Sequence, residues 1–183
     1  VHLGYLTYDF DTCTVHIPNQ EVQKEFINCI EDGGWEPVMD AIRKSEELLA
    51  ATIRGEEETV ARMIENAHQE NTSILAYNDE NSLACVIALA YYSAKKNYVV
   101  YRELAGGKGF ADLVFLPRKK FPEKPAIVVE LKWDKTAEGA IAQIKNKEYC
   151  RSLEEYEGNI LLVGVNYNKQ TKEHECVIEE YVK

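Results

Sequence analysis

The spacing of hydrophobic residues divides the chain into a helical first part and a strand-rich second part. After two short alternating segments, Leu3–Phe10 and Thr14–Ile17, hydrophobic residues recur every three or four positions through residues 19–70. The alternation predicts a β-hairpin, and the longer period predicts helices. Asn19 is placed to cap the first helix, and Gly55 interrupts the pattern before the third.

From residue 80 onward the pattern predicts one helix, three strands, a second helix and two further strands. The segment Asn159–Val165 is almost wholly hydrophobic, which is typical of a strand buried on both faces. Thr136 can cap the helix that starts at Ala137. The predicted elements are a helix from Glu80 to about Lys95, strands Tyr98–Leu104, Ala111–Leu116 and Ala126–Leu131, a helix from Ala137 to about Leu153, and strands Asn159–Val165 and Cys176–Tyr181.

These elements predict an α/β fold with three parts. Residues 1–18 form a hairpin, residues 19–77 an acidic helical subdomain, and residues 78–183 the α/β domain. A chain of 183 residues is long enough for such a core with an added subdomain. The chain begins with Val1 rather than methionine, so we expect a fragment of a longer protein.

Composition and cysteine usage favour a cytoplasmic globular protein. Hydrophobic residues make up 45% of the chain and charged residues 28%, which is typical of a domain that buries a core. The longest hydrophobic run, Leu83–Tyr92, is far shorter than the roughly 20 residues of a membrane helix. Five scattered cysteines form no CxxC pair, so we expect buried, reduced thiols. The four histidines do not cluster in sequence, and packing or surface roles are expected.

The net charge of −10 is distributed unevenly and does not exclude a phosphate-bearing partner. Residues 19–80 contain fifteen acidic and five basic side chains, whereas residues 81–183 contain fourteen acidic and sixteen basic ones. The acidic excess therefore lies outside the predicted α/β domain, and net charge alone does not decide what that domain binds.

The candidate chemistry lies at the end of a hydrophobic strand. Glu130 and Lys132 follow three hydrophobic residues, and side chains two apart in a strand project from the same face. Asp112 lies on the preceding predicted strand, so pairing of the two strands would bring Asp112 close to Glu130. Two carboxylates are typical ligands of magnesium, and a nearby lysine can orient water and offset phosphate charge. The alternative is a simple charge pair at a sheet edge.

The segment Gly109-Phe110-Ala111-Asp112, followed after seventeen residues by Glu130-Leu131-Lys132, resembles the PD-(D/E)XK nuclease superfamily. The resemblance is greatest to the bacterial branch found C-terminal to an AAA-ATPase-like domain. It implies a restriction-endonuclease-like core of one helix, a three-strand meander, a second helix and a strand. It also implies Mg²⁺, or Mn²⁺ in its place, as cofactor and a covalently linked AAA-ATPase-like domain as partner.

The same resemblance extends to residues outside the two strands. Glu80 lies where the family often has a further acidic metal ligand, although an acid in a first helical turn is also favoured by the helix dipole. Gln143 and Tyr149 resemble the QxxxxxY signature on the helix after the lysine strand. Their alternatives are a surface glutamine and a core tyrosine. Candidate contacts to the nucleic acid, besides Tyr149, are three lysines: Lys108, Lys145 and Lys147.

The sequence thus predicts a magnesium-dependent nuclease domain, with DNA favoured over RNA as substrate. Asp112 and Glu130 hold the metal, Lys132 acts on the attacking water, and Gln143 positions the site. Relatives often have arginine before the Asp-bearing strand, where this chain has Phe110. The alternatives are a catalytically silent module that regulates the attached ATPase-like domain, and a toxin-like or defence component. Many nucleases of this fold dimerise, so a homodimer is also considered.

Overall fold

The computed structural model of the chain describes residues 7–9, 14–17, 19–32, 35–71, 80–153 and 156–181. Contacts along the chain divide it into two units, Val1–Ala41 and Ile42–Lys183. In the first unit, strands β1 (Thr7–Asp9) and β2 (Thr14–His16) form an antiparallel pair. The predicted hairpin is therefore present within the described residues.

Helices account for most of the chain between β2 and residue 97. Asn19 caps α1, because its Oδ1 accepts a hydrogen bond of 2.8 Å from the backbone N–H of Val22. Gly55, with φ +72°, occupies the left-handed region between α2 and α3. Both features agree with the sequence prediction. The helices are α1 (Gln20–Asp32), α2 (Glu36–Ile53), α3 (Glu57–Asn71), α4 (Glu80–Ala90) and α5 (Ala137–Asn146), with 3₁₀ helices at Tyr92–Lys96 and Tyr149–Leu153.

A five-stranded mixed sheet forms the centre of the second unit. Its strands lie side by side in chain order, and neighbours are antiparallel except for β5 and β6, which are parallel. A parallel pair needs a long crossover, and α5 provides it. The order of elements predicted from residue 80 onward is confirmed. The strands are β3 (Tyr98–Gly106), β4 (Gly109–Pro117), β5 (Ala126–Trp133), β6 (Ile160–Asn168) and β7 (Glu173–Tyr181).

Both faces of the sheet are buried, which explains the hydrophobic runs in β5 and β6. On one face, alternate residues such as Val129 and Leu131 pack with residues of α2, α3 and α4. On the other face, Val128 and Leu162 pack with Ile141 and the rest of α5. Every residue of β6 except its last is buried, as predicted for a strand covered on both sides.

The helices α2 and α3 share a core with the sheet. Leu48 of α2 and Val60 and Ile64 of α3 belong to the same buried cluster as Val129 of β5. The sequence pattern placed a boundary between residues 77 and 78, whereas the contacts place the division after Ala41. Helices of this length are marginal alone in water, and most of their stability comes from burying a hydrophobic face.

The predicted extent of α5 is wrong at its C-terminal end. The helix ends at Asn146 rather than near Leu153. Glu148 has φ +56°, a left-handed conformation that an α-helix cannot contain. Tyr149 therefore lies on the following 3₁₀ helix, not on the same helix as Gln143.

The cysteines whose side chains the structure describes are all free thiols. Cys150 and Cys176 are buried and free, and Cys85 is free and partly exposed. The side chains of Cys13 and Cys29 lie outside the described residues. No helix within the described ranges has the length and hydrophobicity needed to cross a membrane.

A glycine in β6 allows α5 to lie close to the sheet. A Cβ placed on Gly164 would lie 2.3 Å from the Ala137 carbonyl oxygen and 3.0 Å from the Ala140 Cβ. Gly164 pairs in register with Glu130 of β5. The close approach therefore brings α5 over the strand that carries the candidate catalytic residues.

Substituting Gly164 should separate α5 from the sheet. We expect Gly164→Ala to lower the free energy of unfolding by about 1–3 kcal/mol, because the backbone of α5 must move. Gly55→Asn is the control, since nothing lies within 4 Å of a Cβ there and asparagine tolerates a positive φ. Urea unfolding compares the two variants. Equal losses would show that packing at Gly164 is not special.

Two histidines pack face to edge where α3 meets the sheet. His68 of α3 and His174 of β7 have ring centroids 5.2 Å apart, and both rings contact Tyr167. Among the residues that the structure describes, neither ring nitrogen of His174 finds a hydrogen-bond partner. Burial, with a smaller contribution from His68, lowers the pKa of His174 to about 3, and burial also lowers the pKa of His68. These histidines therefore have the packing role that the sequence predicted.

The low pKa of His174 should make folding sensitive to acid. Between pH about 6.5 and about 3 the unfolded chain binds a proton that the buried ring does not, so stability is lost as pH falls through this range. We expect His174→Phe to flatten the decline, measured by urea unfolding at successive pH values. The exposed His16→Phe serves as control and should keep the wild-type profile. An unchanged profile in His174→Phe would contradict the assignment.

Candidate functional site

The site forms where strands β4 and β5 stop pairing through their backbones. The ladder between them runs from Phe115 opposite Ile127 to Leu113 opposite Val129. Beyond this ladder a side chain replaces the backbone as hydrogen-bond acceptor. The Oδ2 of Asp112 accepts a hydrogen bond of 2.8 Å from the backbone N–H of Leu131. The carboxylate of Asp112 is thereby fixed beside the segment that contains Glu130 and Lys132.

Glu130 and Lys132 form a buried ion pair. Their exposed fractions are 2% and 6%, and Lys132 Nζ lies 2.8 Å from Glu130 Oε1. Leu131, between them, points to the opposite face and belongs to its core. The prediction that the two charged side chains point together is confirmed. The alternative of a simple charge pair at a sheet edge is wrong, because both side chains are almost fully buried.

Gln143 of α5 connects the ion pair to the 3₁₀ helix that follows. Its Nε2 donates hydrogen bonds to Glu130 Oε1 and, over 3.1 Å, to the hydroxyl of Tyr149. These hydrogen bonds place the Gln143 side chain in the site, so the alternative of a surface glutamine is wrong. The helix α5 begins with the predicted cap, since Thr136 Oγ1 accepts from the Gly139 N–H over 3.0 Å.

Tyr149 is buried beside the site as a neutral phenol. Burial is the main cause that raises its pKa; the hydrogen bond from Gln143 lowers it, and the charges of Glu130 and Asp112 raise it further. A neutral hydroxyl can both accept from Gln143 and donate elsewhere. The Tyr149 hydroxyl therefore fixes the Gln143 amide by a hydrogen bond, and its ring packs in the core.

The glycine-rich turn between β3 and β4 contacts the two residues that follow α5, Lys147 and Glu148. The backbone N–H of Lys108 donates to the Lys147 carbonyl over 2.8 Å. Gly107, with φ +50°, has no room for a side chain, because a Cβ would lie 2.2 Å from the same carbonyl. A Cβ on Gly109 would lie 3.1 Å from the Tyr149 ring. The turn thus holds Tyr149 in place.

The structure does not bring every predicted residue to the site. Lys145 and Lys108 form exposed ion pairs with Glu179 and Glu148, at 2.6 and 3.0 Å. Exposed pairs of this kind are weak, so neither lysine is committed to its partner. Lys147 is exposed at the end of α5. The side chain of Glu80 lies outside the described residues, although its backbone begins α4.

Sequence reasoning missed Asn166 of β6, which holds the loop that follows Glu130 and Lys132 on β5. It pairs in register with Lys132 and is 1% exposed. Its amide accepts from the Lys135 N–H over 3.0 Å and donates to the Lys135 carbonyl over 2.8 Å. The available signal was a polar residue directly after an otherwise hydrophobic buried strand.

The chemistry of the site fits a hard divalent cation held by few protein ligands. Asp112 and Glu130 offer carboxylate oxygens, and Mg²⁺ is commonly bound through one or two carboxylates plus water. Among the residues that the structure describes, no group of three or more His, Cys, Asp or Glu side chains could hold a metal ion. Of the described residues, Asp112 and Glu130 would hold the metal, and the family resemblance adds Glu80 as a third ligand.

Comparison with protein families agrees with this geometry. A family model described as PD-(D/E)XK nuclease superfamily matches residues 78–177, which is more than half of the chain. The matched range contains Asp112, Glu130, Lys132 and Gln143. Among curated proteins, none matches this chain.

The buried ion pair predicts strongly coupled substitutions. Lys132→Met leaves the Glu130 charge buried without its cation, and we expect a loss of about 3–5 kcal/mol in the free energy of unfolding. Glu130→Gln combined with Lys132→Met should recover much of this loss, because no buried charge remains. Urea unfolding measures both.

The exposed pair between Lys145 and Glu179 provides the control. Lys145→Met should cost less than about 1 kcal/mol. Urea unfolding of Glu130→Gln alone completes the comparison. If the loss in the double variant equalled the sum of the losses in Lys132→Met and Glu130→Gln, the Glu130–Lys132 interaction would carry no coupling energy, contrary to this prediction.

Proposed function

Because the chain belongs to the PD-(D/E)XK nuclease superfamily, we propose that it is a magnesium-dependent nuclease domain that hydrolyses phosphodiester bonds, with DNA as the favoured substrate. The observation that carries the proposal is the direct hydrogen bonding of Asp112 to the Glu130–Lys132 strand end. Two carboxylates and a lysine converge there from neighbouring strands. The substrate preference and the cofactor follow from the family resemblance.

In this proposal Asp112 and Glu130 hold the cation. When bound, it would polarise a phosphoryl oxygen and lower the pKa of a coordinated water. Asp112 is already oriented, because the Leu131 N–H occupies one of its oxygens and leaves the carboxylate fixed beside Glu130. Pre-oriented ligands need less reorganisation when the metal and substrate arrive.

Lys132 supplies positive charge at the same place. Its ammonium has three N–H donors, one of which is directed at Glu130 Oε1. Another can donate to the attacking water or to a non-bridging phosphate oxygen, where negative charge increases in the transition state. Its burial in a site of low dielectric strengthens this interaction relative to an exposed lysine.

Gln143 acts as a positioning residue for Glu130. It donates to Glu130 Oε1, and the Tyr149 hydroxyl holds the same amide nitrogen. The orientation of the Glu130 carboxylate is therefore set by α5 and by the turn that contacts Tyr149. Small displacements at such sites lower rates substantially, because reacting groups must be held in a narrow range of geometries.

A second candidate function is a catalytically silent nuclease-fold module that regulates an attached AAA-ATPase-like domain. One observation favours it: Glu130 Oε1 accepts hydrogen bonds from both Lys132 and Gln143 in the structure. Such a module would need no metal, and its site would serve as a buried polar network. The linked domain and a homodimeric assembly belong to the proposal as consequences of the resemblance.

Removing the charge of Asp112 should abolish activity without disturbing the fold. Asp112→Asn keeps an oxygen that can accept from the Leu131 N–H, but it is a poor ligand for magnesium. We expect DNA cleavage to fall by at least about 100-fold, or about 2.7 kcal/mol of transition-state stabilisation. Gel assays of labelled DNA with Mg²⁺ or Mn²⁺ measure the rate.

Asp134→Asn is the matched control, since Asp134 follows β5 and its Oδ1 accepts from the Lys169 N–H instead. It should retain near-wild-type cleavage. Equal activity in Asp112→Asn and wild type would refute the assigned role. A wild-type chain that neither cleaves nor binds Mg²⁺ or Mn²⁺ in calorimetry, with or without DNA, would favour the silent module.

A further inference from the structure

A cluster of basic side chains lies at the end of the sheet opposite the candidate active site. It comprises the 3₁₀ helix before β3 and the loop between β4 and β5. Four of its members (Lys95, Lys96, Lys119 and Lys120) and the backbone-anchored Arg118 are exposed, and Lys124 is half-buried. We refer to these six side chains as the basic patch: Lys95, Lys96, Arg118, Lys119, Lys120 and Lys124.

Hydrogen bonds hold the two segments of the basic patch together. The Arg118 N–H donates to the Asn97 carbonyl over 2.8 Å, and the Arg118 guanidinium donates twice to the Lys95 carbonyl, over 3.2 and 3.1 Å. The loop is fastened further along, where the Tyr156 hydroxyl donates to the Lys124 carbonyl over 2.5 Å. The positive charges are therefore displayed on a fixed backbone.

Within the residues that the structure describes, the six cations of the basic patch outnumber the acidic side chains identified beside them. Glu123 lies in the same loop, and Glu46 is 3.8 Å from Lys96 in an exposed pair. The chain as a whole carries a net charge of −10. A group of six positive charges at one end of the sheet therefore differs in sign from the protein as a whole. Beside it, the exposed ring of Tyr92 lies under Lys95, with the ammonium 5.0 Å from the ring centroid.

The basic patch and the candidate active site are joined by the same strand. Asp112 lies on β4, and Arg118 is the residue directly after this strand, six positions further along the chain. At about 3.3 Å per residue the two lie roughly 20 Å apart. Phosphates of one strand of a duplex advance by about 3.4 Å along the helix axis and lie further apart in an extended single strand, so this separation corresponds to at most about six nucleotides.

We propose that the basic patch is a second contact surface for nucleic acid, binding the phosphate backbone about 20 Å from the bond that is cleaved. The identification of this polymer as the substrate rests on the proposed function, whereas its binding to the patch does not. Phosphate contacts fix the position of the polymer without reading its sequence. Tyr92 offers a ring on which an unpaired base can stack.

Salt dependence of binding tests this surface directly. Fluorescence anisotropy with a labelled 20-nucleotide single-stranded DNA, in EDTA to prevent cleavage, gives affinity over a series of KCl concentrations. We expect Lys119→Gln combined with Lys120→Gln to reduce the slope of log affinity against log salt by about 1.4, since each single-strand phosphate contact contributes about 0.7. Affinity at low salt should fall as well.

Arg43→Gln combined with Arg62→Gln removes the same charge from the exposed surfaces of α2 and α3 and should leave the slope as in wild type. The inference is overturned if the two double variants have the same slope, or if the wild-type chain does not bind the DNA. A wild type that cleaves DNA with no slope change in the lysine variant contradicts only this inference. A slope change without cleavage contradicts only the proposed nuclease activity.

Cleavage of substrates of different length provides a second readout. A dinucleotide is too short to reach both the site and the basic patch, whereas a 20-nucleotide strand reaches both. The lysine double variant should therefore raise the KM for the long strand several-fold and leave cleavage of the dinucleotide unchanged. An equal effect on both lengths would point to a general structural defect and count against the surface.

Discussion

The buried ion pair between Glu130 and Lys132 is the interaction on which the rest of the site depends. Removing two charges from water costs more than their mutual attraction alone returns, unless further hydrogen bonds satisfy them. Gln143 contributes one such hydrogen bond by donating to Glu130 Oε1. On the far side of Lys132, Asn166 anchors the loop after β5 through two hydrogen bonds to Lys135. These side chains come from β5, α5 and β6, so the site exists only when the sheet and α5 are assembled.

Glycine positions make this assembly possible. Gly164 lets α5 lie against β6, and the turn at Gly107 fits against the carbonyl of Lys147. These contacts hold Gln143 and Tyr149 on the Glu130 side of the sheet. The opposite face is closed by α2, α3 and α4, whose hydrophobic residues share a single buried cluster with β5. A central strand covered on both faces can hold charged residues in a rigid, water-poor environment, which favours electrostatic stabilisation of a transition state.

The two functional surfaces that we propose lie at opposite ends of β4 and β5. At one end the backbone ladder gives way to the Asp112 side chain. At the other, the loop after β4 is tied to the helix before β3 by Arg118. Because the same strands connect both ends, the separation between cleavage site and backbone contact is fixed by strand length. A nucleic acid bound across them would be held at two points on one rigid scaffold.

The sequence by itself determined the elements of the α/β domain and the shared direction of Glu130 and Lys132, because a period of two and long hydrophobic runs are local properties of a strand. It also identified Gln143, through the spacing of a family signature. It did not determine where α5 ends, since the positive φ of Glu148 accompanies contacts with a turn some forty residues earlier. The pairing of His68 with His174 and the support from Asn166 were likewise decided by tertiary structure alone. These contacts join residues distant along the chain, and no local pattern of hydrophobicity records which distant residues will meet.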